Sequence, residues 1–364
     1  MVIRKQHYNF VKLLLYIVAI LGFFSSCEKI ANEDLEIIES IKLSDSFLVI
    51  ETGNSQKLDV EVLPVEFDTK LLRWESTDSH VATVQEGTVF AVSDGDVDIK
   101  VYYGNLSTSC HVKVVDIYNI AHSHLDDIPE NTYPHFLAAV NNGFNGLKAD
   151  MRITADNKIV LCHDAGYTLN ENGQIITFNS QDYTSINTLT EEQVLSLEFE
   201  KKYLGSIVHP CSLDDFLEIC TRYYLIPYLT FRHDGFEEAT ASEMYGLLLK
   251  YHLEKIAIIN LYSYRKKQVE ILRKLFSDFI ICDTELGSTE SNTDLIERMH
   301  EAGVRFVCYK YDTTVINTLA TDHILFANSL GMQIWSWNVT NKADYDDCIA
   351  KGIKGFQVYS RSMW

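Results

Sequence analysis

Gly146-Leu147-Lys148-Ala149-Asp150-Met151-Arg152 is the stretch that decides the fold of most of the chain. It is a short strand-like run in which Lys148 and Asp150 stand two apart, so an extended backbone turns both to one side. Seven comparable runs accompany it, and strands are predicted near 117–122, 145–153, 226–232, 255–262, 279–284, 304–311, 333–339 and 355–360. Between them lie stretches of helical period, for example 212–224, 265–276, 292–302 and 342–351. Gly303, Gly331 and Gly352 stand where helices should stop. Strands alternating with helices imply an α/β fold. Eight such repeats in about 250 residues match a closed (β/α)8 TIM barrel. Periodicity does not show closure, so a doubly wound sheet stays open as the second arrangement. In a barrel, chemistry gathers at the C-terminal ends of the strands.

Outward from the barrel, residues 38–116 read as all-β. Ile41-Lys42-Leu43, Leu58-Asp59-Val60-Glu61-Val62, Val97-Asp98-Ile99-Lys100-Val101 and Val112-Lys113-Val114 alternate apolar and polar. Thr52-Gly53-Asn54 and Ser93-Asp94-Gly95 supply turns. Short strands at this spacing point to a sandwich. Leu63-Pro64, Trp74-Glu75-Ser76-Thr77-Asp78, Val81-Ala82-Thr83-Val84, Gly87 and Ala91-Val92-Ser93-Asp94-Gly95 resemble a bacterial immunoglobulin-like domain of group 2. The resemblance implies a spacer or adhesion role, with Trp74 in the core between the sheets.

The N-terminus carries Arg4, Lys5 and Lys12, then an apolar run from Leu13 to Phe24, then Ser25-Ser26-Cys27. Twelve apolar residues are short for a membrane span and suit the core of a signal peptide. Small residues before a cysteine resemble the lipobox of bacterial lipoproteins, which implies lipid on Cys27 and attachment at the cell envelope. The expected organisation is a lipoprotein signal peptide over 1–26, Cys27 and a tether to 37, the Ig-like domain over 38–116 and the barrel over 117–364.

Net charge is -20, and removing residues 1–26 takes away three cations and no acid. So negative a surface repels nucleic acid, which argues against such a partner. Of the eight cysteines, none forms a CxxC pair, which argues against a zinc ribbon or a thioredoxin-like site. Most sit in apolar runs, as small buried hydrophobes do. Spacing leaves pairing of Cys211 with Cys220 open.

The strand ends carry the candidate chemistry. Strand 1 ends Ile120-Ala121-His122-Ser123-His124, followed by Pro129-Glu130-Asn131-Thr132 at a helix start. Strand 2 is followed by Ile159-Val160-Leu161-Cys162-His163-Asp164, and strand 7 is Ile334-Trp335-Ser336-Trp337-Asn338. In that order these motifs resemble glycerophosphodiester phosphodiesterases, within the wider superfamily of phosphatidylinositol-specific phospholipases C. The resemblance covers roughly 117–364. It implies hydrolysis of a glycerophosphodiester or related phospholipid head group, with His122 and His163 as the acid–base pair. It also implies substrate contacts from Glu130, Trp335, Trp337 and Asn338. His124, Asp283, Lys310 and Tyr359 are weaker candidates near strand ends.

Three positions depart from the family pattern. Ser123 stands where an arginine follows the first histidine, and Lys148 replaces the first carboxylate of Glu-x-Asp while Asp150 is kept. Thr230-Phe231-Arg232 replaces Glu-x-Lys on strand 3. A hard cation wants several oxygen ligands, so the expectation is no cofactor, or a weakly bound Mg²⁺ or Ca²⁺ held through Asp150. Lys148 and Arg232 then serve as the charges that face the phosphoryl group, as in the metal-free bacterial members of that superfamily. The other reading is a degenerate barrel that only binds a ligand, with Lys148 and Asp150 as a neutralising pair.

Overall fold

The computed structural model describes residues 37–122, 128–179, 184–232, 236–262, 266–285, 292–311 and 321–359. Cys27, the apolar run before it, Ser123 and His124 lie outside the described residues.

The N-terminal strands are β1 (Ser40–Leu43), β2 (Phe47–Glu51), β3 (Ser55–Lys57), β4 (Val60–Leu63), β5 (Arg73–Ser76), β6 (Ala82–Gln85), β7 (Thr88–Ala91), β8 (Gly95–Tyr103) and β9 (Leu106–Val115). They form sheets ordered β2-β9-β8-β5 and β3-β7-β6, with β1 paired to β4. Alternation sends Leu48, Ile50, Val97, Ile99, Val112 and Val114 inward against Leu58, Ala82 and Val89 of the facing strands. Trp74 is half-buried and packs across the sandwich edge, not wholly within it. Gly87 permits this: a Cβ there would lie 2.9 Å from the Trp74 ring, and its φ of +80 is one a side chain resists.

The barrel begins with β10 (Tyr118–Ala121) and β11 (Gly146–Ile153). A hairpin strand β12 (Ile159–Leu161), a small sheet of β13 (Gly166–Leu169), β14 (Ile175–Asn179) and β15 (Thr184–Ser185), and β16 (Cys211–Ser212) interrupt it. It resumes with β17 (Ile226–Phe231), β18 (Ile258–Tyr262), β19 (Ile280–Glu285), β20 (Phe306–Lys310), β21 (Gln333–Val339) and β22 (Gly355–Val358). The eight parallel strands run β10-β22-β21-β20-β19-β18-β17-β11, and pairing of β10 with β11 closes the ring. Closure settles the question that periodicity left open, and the doubly wound sheet is excluded. Gly146 sits at that seam, where a Cβ would lie 2.8 Å from the Ile226 carbonyl oxygen.

The interior is layered. Tyr118, Ile120, Ile226, Tyr228, Ile258, Cys282, Phe306, Cys308 and Trp335 fill the lower part. Above them the filling turns polar: Thr284 Oγ1 donates to Asn260 Oδ1 (2.9 Å) and Gln357 Nε2 to the Tyr228 hydroxyl (2.9 Å). Each buried polar atom that finds a partner avoids a cost of about 1–3 kcal/mol. The cysteines of the described residues are all buried thiols, Cys211 and Cys220 included.

The Ig-like sheet closes the barrel floor. The outward face of β2 and β9 carries Phe47, Val49, Glu51, His111 and Val115. Phe47 and Val115 are buried within the barrel's own hydrophobic clusters. The His111 ring stacks on Tyr224, just before β17, at 3.8 Å, and Lys255, before β18, pairs with Asp45 at 2.6 Å. At the other end of β2, the Glu51 carboxylate accepts from the Tyr118 hydroxyl (3.0 Å), Arg305 (2.7 Å) and Gln333 Nε2 (2.8 Å). All these barrel residues lie at or before the N-terminal ends of strands, so the mouth at the other end is left to the candidate chemistry.

Candidate active site

His122 follows β10, and its N–H donates to the Val358 carbonyl (2.8 Å), which continues the ladder to β22. The side chain lies in the mouth, buried, with the Tyr359 ring edge-on at 4.8 Å. Beside it, Lys148 and Asp150 project from β11 into the barrel as period two requires. Lys148 Nζ donates to Asp150 Oδ2 at 2.5 Å, and each side chain is only 2% exposed. Arg232, just beyond β17, places Nε 3.3 Å from Asp150 Oδ1, a charge contact and not an aligned hydrogen bond.

Pro129-Glu130-Asn131-Thr132 is a tight loop before the helix Tyr133–Asn141. Thr132 Oγ1 bonds the Pro129 carbonyl (2.6 Å), and Asn131 takes a left-handed φ of 55, which asparagine tolerates. That turn aims the buried Asn131 amide at β11, where Oδ1 accepts the Asp150 N–H (2.9 Å). His163 enters from the hairpin after β12. Its Nδ1 meets Asp164 Oδ1 at 3.0 Å, and its side chain is 37% exposed, far more than His122.

The charges act on one another. Burial, then the ammonium of Lys148, holds the His122 imidazole well below its ordinary value, against the pull of Asp150; His163 and Arg232 add to the lowering. Burial alone would raise Asp150, but Lys148, Arg232 and His163 outweigh it and hold the carboxyl below the usual range. A buried carboxylate without such partners would cost several kcal/mol. The two histidines, two cations and one carboxylate therefore form a single electrostatic unit.

A divalent cation does not fit this arrangement. One oxygen of Asp150 is taken by Lys148 and the other faces Arg232. Thr230 is buried and hydrogen-bonded from Asn260 inside the barrel. The site presents cations where a metal would need oxygen donors.

Other candidates are distributed less simply. Trp335 is fully buried in the lower layer, stacked on Phe306 at 4.4 Å, with Nε1 donating to Gln333 Oε1 (3.2 Å). It is a core residue, which corrects the expectation of a substrate contact. Its neighbour two residues on, Trp337, faces the same interior nearer the mouth. Trp337 is partly exposed, has no hydrogen-bond partner for Nε1 among the described residues, and lies under Lys310 Nζ at 5.5 Å from the ring. Asn338 occupies a bulge with φ of 63 and accepts from the Tyr359 hydroxyl at 3.0 Å, so it props the aromatic beside His122. Glu130 lies within electrostatic reach of Lys148 and Tyr359. Asp283 is buried on the outer side of β19, because its neighbours Cys282 and Thr284 take the inward positions. Asn131, Arg152 and Asp164 belong to the site although sequence reading did not single them out. Spacing offered a signal for Arg152 alone, two residues beyond Asp150 on one strand face.

Residues 123–358 match the Glycerophosphoryl diester phosphodiesterase family. The chain belongs to that family. Residues 37–114 match the Bacterial Ig-like domain (group 2). Among solved structures, this family member is similar to a candidate glycerophosphoryl diester phosphodiesterase from Silicibacter pomeroyi (17% identity, 68% of this chain and 91% of that one, TM-score 0.56). It is also similar to an Oleispira antarctica phosphodiesterase in complex with the product sn-glycerol-3-phosphate (14% identity, 67% and 94%, TM-score 0.53). A third is a glycerophosphodiester phosphodiesterase from Thermotoga maritima (16% identity, 68% and 96%, TM-score 0.51). At these identities the likeness is one of fold. No curated protein matches the chain.

Proposed function

We propose that the chain is a phosphoric diester hydrolase of glycerophosphodiesters or related phospholipid head groups, working by paired histidines without a divalent cation. The observation that carries this is the grouping of His122 and His163 around Lys148, Asp150 and Arg232 in the barrel mouth. Family membership and the glycerol phosphate bound by the Oleispira protein support the substrate class.

Cleavage of a phosphodiester needs a base for the nucleophile, an acid for the leaving oxygen and positive charge for the phosphoryl oxygens. His122, kept neutral by burial and by Lys148, is suited to accept the proton of an attacking water or substrate hydroxyl as the new P–O bond forms. His163, with Nδ1 on the Asp164 carboxylate, is suited to give a proton from Nε2 to the oxygen that leaves. Lys148 and Arg232, fixed by Asp150, offset the charge that grows on phosphorus oxygens. Trp337 and Glu130 border the head group.

The same reading places the protein at the cell envelope, tethered by lipid on Cys27, with domains dividing near 37 and 116. The second reading, a ligand-binding barrel without turnover, draws on one observation: Lys148 is almost wholly covered and spends its charge on Asp150.

The test is an assay of the purified full-length protein on a panel of glycerophosphodiesters and phosphoinositides, with and without EDTA. Turnover that survives EDTA and falls about 10²–10⁴-fold in His122→Ala and His163→Ala supports the proposal. Absence of turnover on every substrate favours the binding module, and loss in EDTA refutes the lysine-for-metal assignment.

A further inference from the structure

Arg152 is the third charged residue on the inward face of β11, after Lys148 and Asp150, and has no part in the proposed proton transfers. Its guanidinium spans two strand ends. One terminal nitrogen donates to the His163 carbonyl at 2.6 Å and the other to the Arg232 carbonyl at 3.1 Å. Both acceptors are main-chain groups, so the clamp fixes backbone and not merely side chains.

The placement of those carbonyls explains why a clamp is wanted. The β11–β12 ladder pairs Met151 with Leu161, and its last contact toward the mouth is Cys162 N–H to the Asp150 carbonyl at 2.8 Å. On the other side the β11–β17 ladder ends at Met151 with Phe231, followed by a long Arg232 N–H to Met151 carbonyl contact of 3.4 Å. His163 and Arg232 are thus the first residues beyond well-formed ladder hydrogen bonds on either flank of β11. A strand end without ladder bonds samples several backbone conformations, and each ordered residue costs roughly 1–2 kcal/mol of entropy. Arg152 extends the order of β12 and β17, the two strands that flank β11, at their ends beside Asp150. A planar guanidinium does this with two donors in a fixed fork, whereas an ammonium is one point charge.

We propose that Arg152 is a positioning residue that sets His163 and Arg232 against Asp150 and His122, and thereby controls the chemical step without touching substrate. The proposal rests on the phosphodiesterase reading for its kinetic consequence, but its geometric content stands apart from it. A displacement of about 1 Å at a reacting group costs up to about 10²-fold in rate. Removing the clamp therefore acts on kcat and leaves KM within a few-fold, since the groups that border the head group are anchored elsewhere.

The experiment compares the wild-type chain with Arg152→Met and Arg152→Lys, all full-length. Three readouts are taken: kcat and KM on the best substrate, the His163 imidazole resonances by two-dimensional NMR, and Tm. The expected result is a 10–100-fold fall in kcat for Arg152→Met with KM little changed, a displaced or broadened His163 signal, and partial recovery of both in Arg152→Lys. An unchanged His163 signal in Arg152→Met overturns the proposal whether or not the protein turns over. So does a loss of kcat with the His163 signal intact, or one that tracks Tm equally in both variants. If the wild type has no activity, the phosphodiesterase reading fails while the NMR comparison still decides the clamp.

Discussion

Replacing Glu51 by alanine removes a carboxylate that the Ig-like sheet inserts into the barrel floor, and the structure sets the size of the effect. Three donors lose their acceptor. The Tyr118 hydroxyl is the costly one: the residue is 5% exposed, and water does not readily replace the carboxylate there. A buried donor left unsatisfied costs about 1–3 kcal/mol. Gln333 is half-buried and also holds Trp335 Nε1 through its other end, so losing its partner adds about 1 kcal/mol. The Arg305 side chain is 42% exposed and rehydrates, so the ion pair itself contributes only about 0–1 kcal/mol. Together the loss is about 2–5 kcal/mol, which for a chain of this size lowers Tm by roughly 3–7 °C. Because Tyr118 and Gln333 belong to the barrel, the destabilisation should appear in one shared transition. The assay is urea and thermal unfolding of the full chain, followed by near-ultraviolet dichroism and calorimetry, with Arg305→Ala and the double variant completing a cycle. A loss below about 0.5 kcal/mol, within the range of ordinary surface substitutions, refutes the reasoning. So does a split into two transitions in which only the smaller one moves.

Other outcomes follow from the same geometry. Gly355→Ala drives a methyl into the Trp335 ring, and the overpacking should cost about 1–3 kcal/mol or more in urea melts. Trp335→Phe should lower Tm and leave KM alone, whereas Trp337→Phe should raise KM and leave Tm within a few degrees; the reverse pattern would overturn the division between core and mouth. His122 carries a pH signature. Its folded value lies below the ordinary 6.5, so the unfolded chain binds a proton that the folded chain refuses. Its contribution to stability is therefore complete above about 6.5 and falls as pH drops below it. His122→Gln should flatten that part of a stability-against-pH curve measured by urea unfolding.

Much of the site was legible because strand geometry is local. Lys148 and Asp150 share a face by period two alone, His122 and Arg232 are strand-end residues in any closed barrel, and His163 follows the hairpin strand that succeeds β11. Asn131 was not legible as a contact of Asp150. It reaches β11 only because the backbone turns left-handed at that residue, and no spacing encodes the turn's direction. Trp335 and Trp337 look alike in sequence, since both lie on one face of one strand. Depth along the barrel axis separates them, and depth depends on how neighbouring strands are staggered.

The sequence by itself determined the strand and helix content, the sandwich-then-barrel order and which residue types were available for phosphodiester chemistry. Those properties follow from hydrophobic period, turn residues and side-chain identity. Tertiary structure alone decided that β10 pairs with β11 to close the ring and that Arg232 comes to face Asp150. It alone showed that the Ig-like sheet packs against the barrel floor through Glu51. Each of these joins residues tens to hundreds of positions apart, and only the folded chain brings them within hydrogen-bond distance.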